Sequence, residues 1–274
     1  MSGVIDAEAI AAELVEAYST GTRLPCTLSS REGFSLQAAY AVEAALARRR
    51  SAAGRRVVGR KVAFANAAVW PTLKIDTVVW ASMYDDTVQP AKADARTAVP
   101  FTFAPKLEPE IVFKLRTVVD GDPTDPVAVL GAVEWLSLGY EIVDSPFADW
   151  TFQPPDLVAA FGFHAGLVLG RPTQVTPANA TSLAGQLSTF TLTLFKDDVR
   201  VEQGGGRNVL QSPALALGEL AAAIRRTPGA RPLQPGELVS TGSLTTPPLI
   251  GRGETWRAEP DGLDVASLTM AIQS

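Results

Sequence analysis

The chain has 274 residues, 46% of them hydrophobic, and a formal net charge of −5. That is enough for one large domain or two small ones with a substantial core, and the acidic balance excludes general affinity for nucleic acid. A single cysteine, Cys26, excludes an internal disulfide and a cysteine zinc cluster; this agrees with a reducing cytoplasm, in which the thiol is expected to be structural.

The start, Met1 to Asp6, lacks the basic region and long apolar stretch of a signal peptide. Asp6 is placed to cap a helix through about Tyr18, with Ile10, Leu14 and Ala17 on one face and Gly21 as its stop. Ser35 is placed to cap a second helix carrying Ala39, Val42 and Leu46 and running into Arg48, Arg49 and Arg50. Together with Arg55, Arg56, Arg60 and Lys61 these form a basic stretch. Cations at a helix C-terminus complement its exposed carbonyls, and without interleaved aromatics the stretch is no nucleic-acid site. Residues 1–58 therefore read as a helical N-terminal region, and from residue 59 onward short apolar runs broken by Pro, Gly and Asp indicate a β-rich body.

Within that body, Lys106 to Phe113 reads as a strand carrying Glu108 and Glu110. Carboxylates at i and i+2 point to one face. Two like charges side by side in an apolar segment repel unless a cation lies between them, so Glu108, Glu110 and a third acid such as Glu141 mark an oxygen-ligand site for Mg²⁺ or Mn²⁺. The alternative is a solvated edge strand, with Pro109 where no ladder donor is needed.

Leu157 to Leu169 is too short to span a membrane, which takes about 20 residues, and reads as buried core. It contains the only histidine, His164, which fits either an acid–base role or a packed core residue. Thr189–Lys196 and Val199–Val201 flank Asp197-Asp198 as a hairpin. Gly204-Gly205-Gly206 lacks the ending of a phosphate loop and reads as a flexible connection. Ser212 and Pro213 start a helix with Leu217, Leu220, Ala221 and Ile224 buried. Thr255–Glu259 and Leu263–Ile272 flank Pro260-Asp261-Gly262 as a second hairpin.

Five segments recur in a familiar order: Gly59-Arg60-Lys61-Val62, the Asp86 region after Met83-Tyr84, Leu107-Glu108-Pro109-Glu110-Ile111, Glu141-Ile142-Val143-Asp144-Ser145 and Thr241-Gly242-Ser243-Leu244-Thr245. Over most of its length the chain resembles the fumarylacetoacetate hydrolase superfamily, in its 2-keto-4-pentenoate hydratase and 4-oxalocrotonate decarboxylase branch. The resemblance implies an α+β fold in which residues 59–274 form the metal-binding catalytic domain. It places Mg²⁺ or Mn²⁺ on Glu108, Glu110 and Glu141, matches Lys61 to the family's active-site lysine, which would stabilise substrate carboxylate or enolate, and lets Asp86 orient water or move a proton.

The implied protein is a cytoplasmic homo-oligomer of aromatic-compound catabolism that adds water to a 2-hydroxy-2,4-dienoate, giving a 4-hydroxy-2-oxo acid. Decarboxylation of an oxalocrotonate-like acid and hydrolysis of a diketo acid use the same enolate chemistry, and a non-enzymatic role as a metal-stabilised decarboxylase partner is a further alternative. Two departures bear on substrate: Asp144-Ser145-Pro146 stands where many hydratases have Asp-Ser-Arg, and Asp156 to His164 replaces a stretch containing Asp, Asn and Ser. If that stretch is extended, Phe161 and Phe163 share one face and favour an apolar distal substituent over a second carboxylate.

Overall fold

The computed structural model describes residues 5–92 and 96–274, so the first four residues, read above as part of a start without a signal sequence, lie outside it. Helix α1 (Ala7–Thr20) begins where the Asp6 carboxylate accepts the N–H groups of Glu8 and Ala9, and it ends at Gly21 with φ 71°. Helix α2 (Leu36–Ala52) begins where Ser35 accepts the Ala38 N–H. Their apolar stripes share one core with Val143, Phe147, Leu157, Val158 and Phe163 from far along the chain.

The rest runs β1 (Val57–Ala63), α3 (Trp70–Leu73), β2 (Val79–Tyr84), β3 (Val88–Pro90), β4 (Arg96–Thr97), β5 (Lys106–Leu115), α4 (Pro126–Gly131), β6 (Val133–Val143), α5 (Pro154–Ala159), β7 (His164–Leu169), β8 (Thr173–Gln174), α6 (Ala180–Thr189), β9 (Thr191–Lys196), β10 (Val199–Gly205), α7 (Pro213–Arg226), β11 (Leu238–Ser240), β12 (Thr255–Asp261) and β13 (Leu268–Ile272). The fold is α+β. Among the described residues no helix is long and apolar enough to cross a membrane.

One sheet has the order β2-β1-β11-β5-β6-β7-β3, with β8 also on β6; the other runs β10-β9-β12-β13-β4. The edge strands β2 and β3 of the first are joined through residues 85–87 alone. Seven strands laid flat would hold their edges about 29 Å apart, whereas the four Cα steps from Tyr84 to Val88 reach at most about 15 Å. The sheet must therefore curl until its edges nearly meet. Its outer face, with Leu107, Ile111, Phe113, Leu136, Leu138 and Tyr140, packs on the main core together with α6 and α7. Inside the curl, Met83, Val112, Leu167 and Leu238 form a small apolar plug. The fit there is tight: a Cβ on Gly139 would lie 2.6 Å from Val112 Cγ2.

β5 is a central strand, paired with β6 on one side and β11 on the other, so the edge-strand reading of Glu108 and Glu110 is overturned. Pro109 is tolerated because its carbonyl points to the Leu244 N–H, 2.8 Å away; its nitrogen faces the same side, and no β6 ladder bond is lost.

The second hairpin differs from expectation. Pro260 and Asp261 lie inside β12, where they pair with Leu192 and Thr191, and the connection to β13 is longer than a tight turn. Ser212 stands at the N-cap of α7 without making a capping bond. Cys26 is exposed rather than structural. Gly204-Gly205-Gly206 is not a flexible connection: Cβ atoms there would lie 1.9–2.2 Å from the carbonyl oxygens of Leu244, Phe190 and Leu187. The three glycines let the end of β10 and the turn that follows it run against these backbones.

Candidate metal and active site

Register assembles the acids. Glu108 lies directly opposite Glu141 in the β5–β6 ladder, and Glu110 lies opposite Gly139. All three side chains take the inner face because Leu107, Ile111 and Phe113 alternate with them onto the core; a slip of one residue would bury the acids in that core. One oxygen from each of Glu108, Glu110 and Glu141 falls within 4.8 Å of the others. Glu110 and Glu141 are fully buried, and Glu108, with a side chain 19% exposed, marks the open side.

Each buried glutamate is held by one oxygen only. Glu110 Oε2 accepts from Ser240 Oγ at 2.6 Å and from the Gly242 N–H at 2.8 Å. Glu141 Oε1 lies 2.8 Å from His164 Nδ1 and 3.5 Å from Lys61 Nζ. The other two oxygens, Glu110 Oε1 and Glu141 Oε2, are buried without a partner. Bare carboxylate oxygens inside a protein are costly unless a cation meets them. Hard anionic oxygens suit Mg²⁺ or Mn²⁺, so the residues fit such an ion.

Lys61 is buried within the same curl, its Nζ 4.0 Å from Glu108 Oε2, and it donates to the Gly162 carbonyl at 3.0 Å. Burial alone would pull its pKa down, but Glu141, Glu108 and Glu110 outweigh burial and raise it, so Lys61 is an ammonium. With three acids to one lysine, burial and mutual repulsion push Glu110 well above the carboxylate range, and burial pushes Glu141 up to about 8 against the pull of Lys61. A divalent ion would replace the protons that these acids otherwise retain. Burial, reinforced by Lys61, pushes His164 down to about 3, so it is a neutral imidazole.

The Gly162 carbonyl is aimed by an unusual turn. Phe161, Gly162 and Phe163 have φ of 55°, 63° and 59°, a left-handed run that costs about 1–2 kcal/mol at each non-glycine. Packing offsets this: Phe163 sits among Phe147, Trp150 and Phe152, with ring centroids 4.8–6.0 Å away, and Phe161 meets Tyr18. The segment is not extended and Phe163 fills the core, so the two rings do not form one pocket wall. A Cβ on Gly162 would lie 2.7 Å from both Ala81 Cβ and Lys61 Cδ. Gly162→Ala is therefore expected to cost about 1–3 kcal/mol in thermal denaturation and to lower kcat by displacing Lys61; unchanged values of both would remove this turn from the site.

The structure brings Lys61, Glu108, Glu110 and Glu141 together, and Asp86 stands close enough for its charge to act on His164, the neighbour of Glu141. Asp86 is bound by Arg50 and lies 3.2 Å from Arg55. Arg50 lies in the last turn of α2, so the end of that helix pairs with the acid. Asp144 and Asp156 are structural: Asp144 accepts the N–H groups of Thr102, Phe103 and Ala104, and Asp156 accepts from Ser29 and Gln153. The contacts of Ser240, Gly242 and His164 with the glutamates were not foreseen. The Thr241–Thr245 motif contains Gly242 and begins one residue after Ser240, whereas a lone histidine gave no such signal.

No protein-family model matches the chain. The chain is 30% identical over 258 residues to the 2-keto-4-pentenoate hydratase of Paraburkholderia xenovorans (strain LB400), covering 93% of this chain and 91% of that protein. The 4-oxalocrotonate decarboxylase of Pseudomonas sp is 28% identical over 260 residues, 95% of this chain and 96% of that protein. The fold is similar to that of 4-oxalocrotonate decarboxylase from Pseudomonas putida G7, complexed with magnesium and adipate, with a TM-score of 0.84 at 20% identity, covering 97% of each chain.

Proposed function

Since the chain belongs to the fumarylacetoacetate hydrolase superfamily, in the branch of 2-keto-4-pentenoate hydratases and 4-oxalocrotonate decarboxylases, we propose that it is a metal-dependent hydratase converting a 2-hydroxy-2,4-dienoate to a 4-hydroxy-2-oxo acid. The observation that carries the metal dependence is the pair of bare oxygens on two fully buried glutamates. Glu108, Glu110 and Glu141 would hold Mg²⁺ or Mn²⁺, which would supply a Lewis acid to the 2-oxo or 2-hydroxy acid substrate.

The protein's own groups complete the chemistry. Three carboxylates around a divalent ion leave one net negative charge, which the Lys61 ammonium cancels, so an anionic substrate meets a neutral site. Lys61, fixed by the Gly162 carbonyl and shielded from water, stabilises the negative charge that develops as the dienol loses its enol proton; the dienolate is protonated at C5 to a 2-oxo-3-enoate, and water then adds at C4. Glu108 lies at the open side, where substrate enters. Ser240, Gly242 and His164 keep the glutamates from swinging toward the substrate.

The likeness to 4-oxalocrotonate decarboxylases supports a second reading, decarboxylation of an oxalocrotonate-like acid. One assay separates the two. With Mg²⁺ and 2-hydroxypenta-2,4-dienoate, hydration removes the diene absorbance and gives a 4-hydroxy-2-oxo acid by NMR, without carbon dioxide. Carbon dioxide released from a dicarboxylate, with the monocarboxylate untouched, would replace the hydratase reading by the decarboxylase one.

A further inference from the structure

We propose that His164 is a positioning residue for the metal centre: held by Thr87 with its proton on Nδ1, it engages Glu141 Oε1 and so keeps Glu141 a one-oxygen ligand. This rests on the metal reading above. His164 opens β7 directly after the left-handed turn, and its ring bridges Glu141 Oε1 at 2.8 Å and Thr87 Oγ1 at 2.9 Å. A neutral imidazole carries one donor and one acceptor. Against an ionised metal-binding carboxylate the donor must be Nδ1, which leaves Nε2 as an acceptor in need of a hydroxyl. Thr87 supplies that hydroxyl while its oxygen accepts the Tyr84 N–H at 3.3 Å. The Thr87 hydroxyl can also donate to the Tyr84 carbonyl at 3.0 Å; in the proposed arrangement its one proton goes to Nε2 instead, and the tautomer measured below decides between the two. Thr87 belongs to the short link between the two edges of the curled sheet, so the seam of the curl sets the orientation of a ligand at its centre.

The consequence is a choice of metal. Ser240 and Gly242 occupy Glu110 Oε2 just as His164 and Lys61 occupy Glu141 Oε1, so both buried glutamates are restricted to one oxygen each. A small ion with octahedral demands accepts such ligands, whereas Ca²⁺ favours more oxygens and two-oxygen carboxylates. Freeing Glu141 from His164 would let it turn both oxygens inward and favour Ca²⁺.

The test uses the metal ions alone. By calorimetric titration, His164→Leu is expected to weaken Mg²⁺ about 10–100-fold and to weaken Ca²⁺ less, so that the preference between the two ions shifts toward Ca²⁺. His164→Asn, whose amide N–H can take the place of Nδ1–H, should restore most of the Mg²⁺ affinity. Because His164 is the only histidine, its imidazole ¹⁵N signals need no assignment: the wild-type protein with Mg²⁺ should show the Nδ1–H tautomer, and Thr87→Val should erode it. An Nε2–H tautomer in the wild-type protein overturns the proposal even if the variants fold poorly, as does His164→Leu binding both ions as the wild type does. Failure of the wild-type protein itself to bind Mg²⁺ or Mn²⁺ would overturn the metal reading, and this inference with it.

Discussion

Glu110→Gln is expected to make the metal-free protein more stable while removing most of its response to metal. The glutamine oxygen can keep the hydrogen bonds from Ser240 and Gly242, and its amide then takes the place of the bare Oε1 beside Glu108 and Glu141, turning repulsion into donation. Relief of a buried, unsatisfied group is worth about 1–3 kcal/mol, and each kcal/mol moves Tm by about 2–4 °C in a chain of this size. The sign depends on pH. Glu110 in the folded metal-free protein retains its proton well above the ordinary value of 4.5. Between these values the folded state binds more protons than the unfolded, and wild-type stability falls as pH rises. The advantage of the variant should therefore be absent below about pH 4.5 and open above it. Saturating Mg²⁺, at about a thousand times its Kd, should raise wild-type stability by about 4 kcal/mol. The variant should lose more than about 100-fold in affinity, since even groups behind the ligands cost 10–100-fold. Differential scanning fluorimetry across pH, with and without Mg²⁺, reads all of this; equal metal stabilisation of both proteins would rule out Glu110 as a ligand.

Lys61→Met should separate catalysis from metal binding. The ammonium stabilises charge on the substrate and competes electrostatically with the cation, so its loss is expected to lower kcat/KM about 10²–10³-fold, the range seen when a preorganised donor is removed from a site of developing negative charge. Mg²⁺ affinity should be unchanged or higher, because like charge is gone from beside Glu108 and Glu141. Methionine preserves most of the buried volume, and Gly162 keeps its backbone geometry without the hydrogen bond. Steady-state kinetics paired with calorimetry decide the matter: unaltered kcat/KM would make Lys61 a structural cation, and a parallel fall in metal affinity would make it a support for the ligands.

The shared face of Glu108 and Glu110 was legible because strand alternation is a strict rule: the two acids had to point one way, and apolar neighbours at Leu107 and Ile111 had to take the other. The first two helices were equally legible, since Asp6, Gly21 and Ser35 act through bonds to residues only two to four positions away. Sequence failed where a distant partner decided the outcome. Pro260-Asp261-Gly262 has turn chemistry, yet β9 captures Pro260 and Asp261 as ladder partners. The triple glycine suggested slack, whereas its role is close approach to three carbonyls that sequence cannot place nearby. Asp86 sat in a recognised motif, but its pairing with Arg50 in the last turn of α2 could not be read from that motif. His164 was ambiguous for the same reason: its meaning lies in Glu141 and Thr87, which only the curl brings together.

The parallel pairing of β1 with β11 also governs how the molecule is made. β11 separates β1 from β5 and carries Ser240, so the centre is unfinished until residues beyond 240 have been synthesised. At about 5–20 residues per second the ribosome needs roughly 5–20 s to travel from Glu141 to Gly242. Throughout that interval the nascent chain already contains every proposed ligand but lacks the strand that seats Glu110 and closes the gap between β1 and β5. A cation captured earlier would find three acids on a hairpin not yet flanked by β11, so loading of the proposed ion would be a late event, set by the arrival of the C-terminal third of the chain.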